Sequence, residues 1–261
     1  MRKCAIVIPA RLESTRMPRK LLRDDTGKPL IAHTVETALS ALASSDGLIT
    51  AVYAAVDDAA LLKAAEAAGG RAVMTRRDHP SGTDRAAEVA AGLSEELILN
   101  LQGDEPEIEP AAIVKAARAL DREDEPAPMA TLACPLASSE EYLRPNVVKA
   151  VVDAAGYALY FSRAPVPFDR DSCGRSAPPC AYRHIGIYVY RREFLLGYRN
   201  LPPSPLEIAE KLEQLRALYS GHKIRVAIVP HAPPGIDTEE EYLAFVRRQK
   251  EACRKRPRPG V

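Results

Sequence analysis

Two loops of this chain gather residue types suited to phosphate and hard cations. The first lies in the string IVIPARLESTRMPRK, residues 6–20, where an apolar run ends and Arg11, Arg16, Arg19 and Lys20 follow in one loop. A polyphosphate needs several fixed cations, and the planar fork of arginine grips phosphate oxygens in pairs. The spacing is not that of a P-loop, which requires GxxxxGK[ST]. A solvated basic turn is the plainer alternative. The second loop lies in LILNLQGDEPEIEP, residues 97–110, where another apolar run delivers Gln102, Gly103, Asp104 and Glu105. Magnesium takes hard oxygens, commonly one or two carboxylates plus substrate phosphates. Asp104 at a strand end suits that task, although acidic turns are common.

Two further strings are less specific by themselves. In DHPSGTDRAAEVA, residues 78–90, Ser81, Gly82 and Thr83 make a small polar helix entry. Its free backbone N–H groups can approach a base or an anion, and its hydroxyls can equally serve as simple caps. In GIDTEEEYL, residues 235–243, Thr238 is placed to cap a final helix behind Asp237.

The elements that position these loops alternate strand and helix through the first half. Strands are expected at 4–9, 49–56, 72–75 and 97–101, and helices from Pro29, over 59–68, 84–93 and 110–120. This order implies a mostly parallel α/β sheet with helices on both faces, and ligands in such sheets sit beyond the carboxyl ends of the strands. The second half reads as a β-rich embellishment over about 129–200, with strands at 129–135, 147–152, 158–162 and 185–190 around a Pro-rich loop, 164–182. A closing segment, 201–254, carries a helix over Ser204–Leu218, a strand at 224–229 and a helix over 239–253. Ser204, Pro205 and Glu207 spell a capping box for the first of these helices. One domain over 1–254 is expected, with a frayed basic tail at 255–261.

Bulk composition excludes several classes. With 36 basic against 35 acidic residues the net charge is +1, which argues against duplex nucleic acid or an anionic membrane as partner. No apolar run has spanning length. The 5 cysteines are scattered, without a CxxC pair, and read as reduced cytosolic thiols. A cytoplasmic protein is expected.

At IPARLESTRMPRK the chain resembles the opening signature of the 3-deoxy-manno-octulosonate (Kdo) cytidylyltransferases, close to PARxxSTRLPGKxL; Arg19 stands where that pattern has Gly. NLQGDEP resembles the family's NVQGDEP box, HPSGTDR its HxSGTxR segment, and GIDTEEEYL its GxDTxEDL string. ALYFSRAPVPFDRD, RHIGIYVYR and SPLEIAEKLEQLR resemble its sugar-side strings. Asp57 and Asp58 also match a family position, with Val56 where Thr is usual. The likeness runs from about residue 6 to 243.

The resemblance implies CMP transfer from CTP to Kdo, activating that sugar for lipopolysaccharide synthesis. It implies Mg²⁺ as cofactor and a homodimer through the Pro-rich second half. Asp104 and Asp237 are then the expected metal ligands. Arg11 and Lys20 join them as catalytic residues, with Arg11, Arg16, Lys20, Ser81, Gly82 and Gln102 on the nucleotide and Arg85 a weaker candidate. Arg163 is expected on the sugar carboxylate, with His184, Tyr188, Glu213 and Gln214 on its hydroxyls; Glu213 and Arg216 alternatively form a helix ion pair. Cytidylyl transfer to 8-amino-3,8-dideoxy-manno-octulosonate or to sialic acid, and a non-catalytic nucleotide-binding module, are the rival readings.

Overall fold

The computed structural model describes residues 2–14, 17–233 and 235–255. Arg16 and residues 256–261 of the expected tail therefore lie outside the described residues. The nucleotide-side half contains β1 (Cys4–Ala10), a 3-10 turn (Lys20–Leu22), α1 (Leu30–Ala43), β2 (Ile49–Val56), α2 (Ala59–Ala67), β3 (Arg71–Met74), α3 (Gly82–Ala90), β4 (Leu97–Asn100) and α4 (Pro110–Arg118). Then come β5 (Met129–Pro135), α5 (Ser139–Leu143), β6 (Lys149–Val152), β7 (Ala158–Ser162), β8 (Tyr182–Arg191), α6 (Arg192–Gly197) and a second 3-10 turn (Tyr198–Asn200). The chain closes with α7 (Pro205–Glu210), α8 (Gln214–Tyr219), β9 (Ile224–Ile228) and α9 (Glu239–Lys255).

The sheet runs β3-β2-β1-β4-β8-β5-β9, and along this path every pairing is parallel except the two made by β8. The α/β expectation stands. The β-rich second half is continuous with the sheet, since β5 and β8 pair into it, while β6 and β7 form a hairpin at its side. Every residue of β1 is buried, as an interior parallel strand with both faces covered requires. Its side chains alternate between faces. Ile6 and Ile8 pack with Ile31 and Val35 of α1 and Phe245 of α9, whereas Ala5 and Val7 pack with Ala86, Val89 and Ala90 of α3. Among the described residues no helix is long and apolar enough to cross a membrane.

The single helix expected over Ser204–Leu218 is two short ones. Ser204 caps α7 as expected, its Oγ accepting from the N–H groups of Leu206 and Glu207. Lys211 then turns left-handed, with φ 53°, and ends it. The carboxylate of Glu207 does not return to Ser204: it takes Arg216 in a two-pronged pair at 2.7 and 2.6 Å. That geometry replaces the expected Glu213–Arg216 helix pair, because the break turns Glu213 elsewhere. The last helix is capped by a reciprocal box. Thr238 Oγ1 accepts from Glu241 N–H at 3.3 Å, and Glu241 accepts from the N–H groups of Asp237 and Thr238.

Candidate active site

The chain runs from β1 to β2 and β3 on one side, then crosses to place β4 on the other side of β1. Order reverses there, so the carboxyl ends of β1 and β4 open a crevice. Both phosphate- and metal-type loops leave the sheet at this point. A cleft of about 240 Å³ lies over them, lined by Ala10, Arg11 and Lys20 from the first loop, Gln102, Gly103 and Asp104 from the second, His79, Ser81, Gly82 and Arg85 at the entry of α3, and Glu213.

The first loop is tied down at its start by Leu12 N–H, which donates to Asp57 Oδ1 at 2.8 Å. Asp57 is in turn held by the buried Arg85 guanidinium at 3.1 Å. The same guanidinium donates to Thr75 Oγ1 at 2.6 Å and to Arg76 O at 3.1 Å. Arg85 therefore braces the loop from beneath, and Asp57 earns its place at the end of β2 as the link. At the other end Arg19 adopts φ 54° and ψ 29°, the left-handed region. This explains why glycine is usual there: the backbone that starts the 3-10 turn carrying Lys20 costs a side-chain-bearing residue about 1–2 kcal/mol.

Lys20 is 7% exposed. Its Nζ donates to Asp104 Oδ2 at 2.7 Å, to Ile236 O at 2.6 Å and to Asp237 Oδ1 at 3.4 Å. The two carboxylates, far apart in sequence, thus converge on one cation. A main-chain bond from Ile236 N–H to Asp104 O at 2.9 Å locks their segments together. Glu105 packs against Gly235, and its carboxyl is pushed up to about 8, first by desolvation and then by the charges of Asp104 and Asp237. No group of three or more His, Cys, Asp or Glu among the described residues is placed to hold a metal. A pair of converging carboxylates, with Asp104 lining the cleft, nevertheless fits magnesium, which completes its shell with substrate oxygens and water.

At the α3 entry Ser81 is a true cap: its Oγ accepts from Asp84 N–H at 3.1 Å and donates to Asp84 Oδ2 at 2.8 Å. Capping and cleft lining coexist there. Gly82 is closely packed, since an added Cβ would stand 3.2 Å from Gln102 Oε1 and 3.3 Å from Pro9 Cγ. Gln102 Nε2 donates to Asn100 Oδ1 at 3.1 Å, which turns its Oε1 toward Gly82.

The fold matches a known one over most of its length. The family model described as "Cytidylyltransferase" matches residues 5–224. The 3-deoxy-manno-octulosonate cytidylyltransferase of Geobacter sulfurreducens is 46% identical over 251 residues, covering 94% of this chain and 98% of that one. The enzyme of the same name from Solibacter usitatus is 48% identical over 240 residues, covering 92% of each. This chain belongs to the 3-deoxy-manno-octulosonate cytidylyltransferase family. A solved structure of CMP:2-keto-3-deoxy-manno-octonic acid synthetase complexed with CTP superposes with a TM-score of 0.87 at 41% identity, covering 96% of this chain and 99% of that one.

The residues expected on the sugar side of this cytidylyltransferase do not all gather. Glu213 reaches the cleft, accepting from Thr83 Oγ1 at 2.9 Å, and its carboxyl is raised by burial, with Asp84 and Glu207 adding to the effect. His184 and Tyr188 lie side by side on β8, rings 5.5 Å apart. Burial pushes His184 down to about 3, so it stays a neutral hydrogen-bonding ring, tied to Thr131 Oγ1 at 2.9 Å. Gln214 is buried, and its Nε2 has no hydrogen-bond partner among the described residues. Arg163 stands apart: its Nε donates to Glu210 O at 2.6 Å, and its two terminal nitrogens to Pro145 O at 3.1 Å and Lys211 O at 3.4 Å. It satisfies the orphan carbonyls where α7 ends and does not line the cleft. Sequence reasoning placed Thr83 in the helix entry but not against Glu213, and it missed His79 and Asn100, for which composition gives no signal; each matters through a neighbour brought up by the fold.

Proposed function

We propose that this chain transfers CMP from CTP to 3-deoxy-D-manno-octulosonate with release of pyrophosphate, using Mg²⁺ held by Asp104 and Asp237. The observation that carries the metal assignment is the convergence of both carboxylates on the Lys20 ammonium at the mouth of the β1/β4 crevice. Family membership supports the substrates.

Arg11 and Lys20 hold the triphosphate, with Arg16 a further candidate from the same loop. The Asp57–Arg85 brace fixes the start of that loop, so its charges meet the phosphates without reorganising. The entry of α3, with Ser81 and Gly82, takes the base against Gln102. The free N–H groups there add a positive field. Glu213 reads the sugar from the other wall of the cleft, and His184, Tyr188 and Gln214 remain the further candidates on the sugar side. The C2 hydroxyl oxygen forms a bond to the α-phosphorus, the bond from that phosphorus to the α,β-bridging oxygen breaks, and pyrophosphate departs toward the Arg11 side. When bound, Mg²⁺ supplies charge neutralisation at the α-phosphate and eases loss of the hydroxyl proton. Positioning and electrostatics supply the rest, as in other phosphoryl-group chemistry.

A cytoplasmic homodimer belongs to the same proposal. The unpaired state of all 5 cysteines supports the compartment, and the exposed apolar side chains Leu159, Phe168, Leu206 and Ile208 in the second half support an interface there. Asp104→Ala is expected to cut CMP-Kdo formation at saturating Mg²⁺ by at least about a hundredfold. Near wild-type turnover in that variant contradicts the metal assignment.

A further inference from the structure

The Lys20 ammonium is surrounded by three oxygens: Asp104 Oδ2, Asp237 Oδ1 and the main-chain carbonyl of Ile236. That is a donor set of the kind a hard divalent cation takes. The residue is 7% exposed, and the left-handed Arg19 immediately before it sets the turn that aims it inward. Two carboxylates held close by the Ile236–Asp104 main-chain bond repel one another, and the ammonium offsets that repulsion.

We infer that Lys20 is an internal stand-in cation, which holds the Asp104–Asp237 pair in register and competes with the divalent cation for it. The inference rests on the metal reading of those two carboxylates. An ammonium 2.7 Å from Asp104 occupies the ground a bound Mg²⁺ requires, so the two exclude one another. Lysine suits the exchange, because its charge is compact and rides on a flexible four-carbon stem. A triphosphate in the cleft gives that charge another anionic partner, since Lys20 already lines the cleft beside Arg11. Nucleotide and metal therefore favour one another's binding, and the effect is reciprocal by linkage.

The test is Mn²⁺ binding to the full chain without nucleotide or sugar, read from the free Mn²⁺ signal in electron paramagnetic resonance. Lys20→Met is expected to bind Mn²⁺ about tenfold tighter than wild type, within the usual range of coupling between sites. Lys20→Gln, which keeps a donor for Asp104 and Ile236, serves where the methionine variant folds poorly, and it is expected to change in the same direction. Arg23→Met controls for general charge: Arg23 is a nearby cation engaged with Asp25 and Glu239, outside the carboxylate pair. Its Mn²⁺ affinity is expected to stay within about twofold of wild type, well below typical coupling. Unchanged or weaker binding in both Lys20 variants overturns the inference, as does an equal gain in Arg23→Met. No turnover is measured. Failure here leaves CMP transfer standing, and a wild type that makes no CMP-Kdo leaves the competition result standing.

Discussion

Thr83 Oγ1 donates to Glu213 Oε2 at 2.9 Å, joining positions 130 residues apart. Thr83 lies in the first turn of α3, beside the wall assigned to the nucleotide, and Glu213 is the N-cap residue of α8. Tyr198 OH adds a bond to Glu213 O at 2.7 Å. The two walls of the cleft are thereby one braced unit, and a change on one side is felt on the other.

Removing the donor tests that brace. Thr83→Val is expected to cost about 1.5–3 kcal/mol of unfolding free energy, the range for a hydrogen bond to a charged group. Glu213→Gln has a pH signature. The carboxyl is raised by burial and by Asp84 and Glu207, so its ionised form burdens the fold at higher pH. The glutamine variant is therefore expected to fare better against wild type at pH 8 than at pH 5, in urea titrations. The opposite ranking contradicts the assignment of cause.

Asp57 and Arg85 form a buried ion pair, their side chains 10% and 4% exposed. Asp57→Ala strands the guanidinium and frees Leu12 N–H together. A loss of about 3–5 kcal/mol is expected, as for breaking a buried pair from one side. KM for CTP is expected to rise more than kcat falls, because the loop loses its anchor and the reacting atoms do not. A variant with wild-type KM for CTP contradicts the bracing role.

Glu105 gives a second pH signature. Its carboxyl is pushed up from 4.5 to about 8, by desolvation first and then by Asp104. A group raised in this way contributes its full stability below its ordinary value and loses it as pH rises through about 8. His33 and His184, pushed down by burial to about 4 and about 3, act oppositely and only as pH falls below 6.5. Between pH 6.5 and 8, then, metal-free wild type is expected to melt at falling temperature, and Glu105→Gln to flatten that slope. An unchanged slope contradicts it.

Strand and helix order was legible in the sequence wherever apolar periodicity was strong, as in β1, β2 and α1. The sheet's path was not, because β8 inserts antiparallel between β4 and β5 and no local pattern encodes which neighbour a strand takes. Asp104, Lys20 and Ser81 were legible from their motifs. Their meeting with Asp237 was not, since it depends on Ile236 hydrogen-bonding to Asp104 across the chain. The break at Lys211 was hidden by a run of good helix formers. Its left-handed backbone arises where Arg163 gathers the carbonyls of Glu210 and Lys211. That same contact took Arg163 from the cleft, although its residue type alone suited a sugar carboxylate.

The most direct measurement is pyrophosphate release by the purified chain with Mg²⁺, crossing CTP, UTP and ATP with Kdo, 8-amino-3,8-dideoxy-manno-octulosonate and sialic acid. CTP with Kdo is expected to give the fastest release, with CMP-Kdo formed in equal amount. No release with that pair, or faster release with another nucleotide or sugar, contradicts CMP transfer to Kdo as the function of this chain.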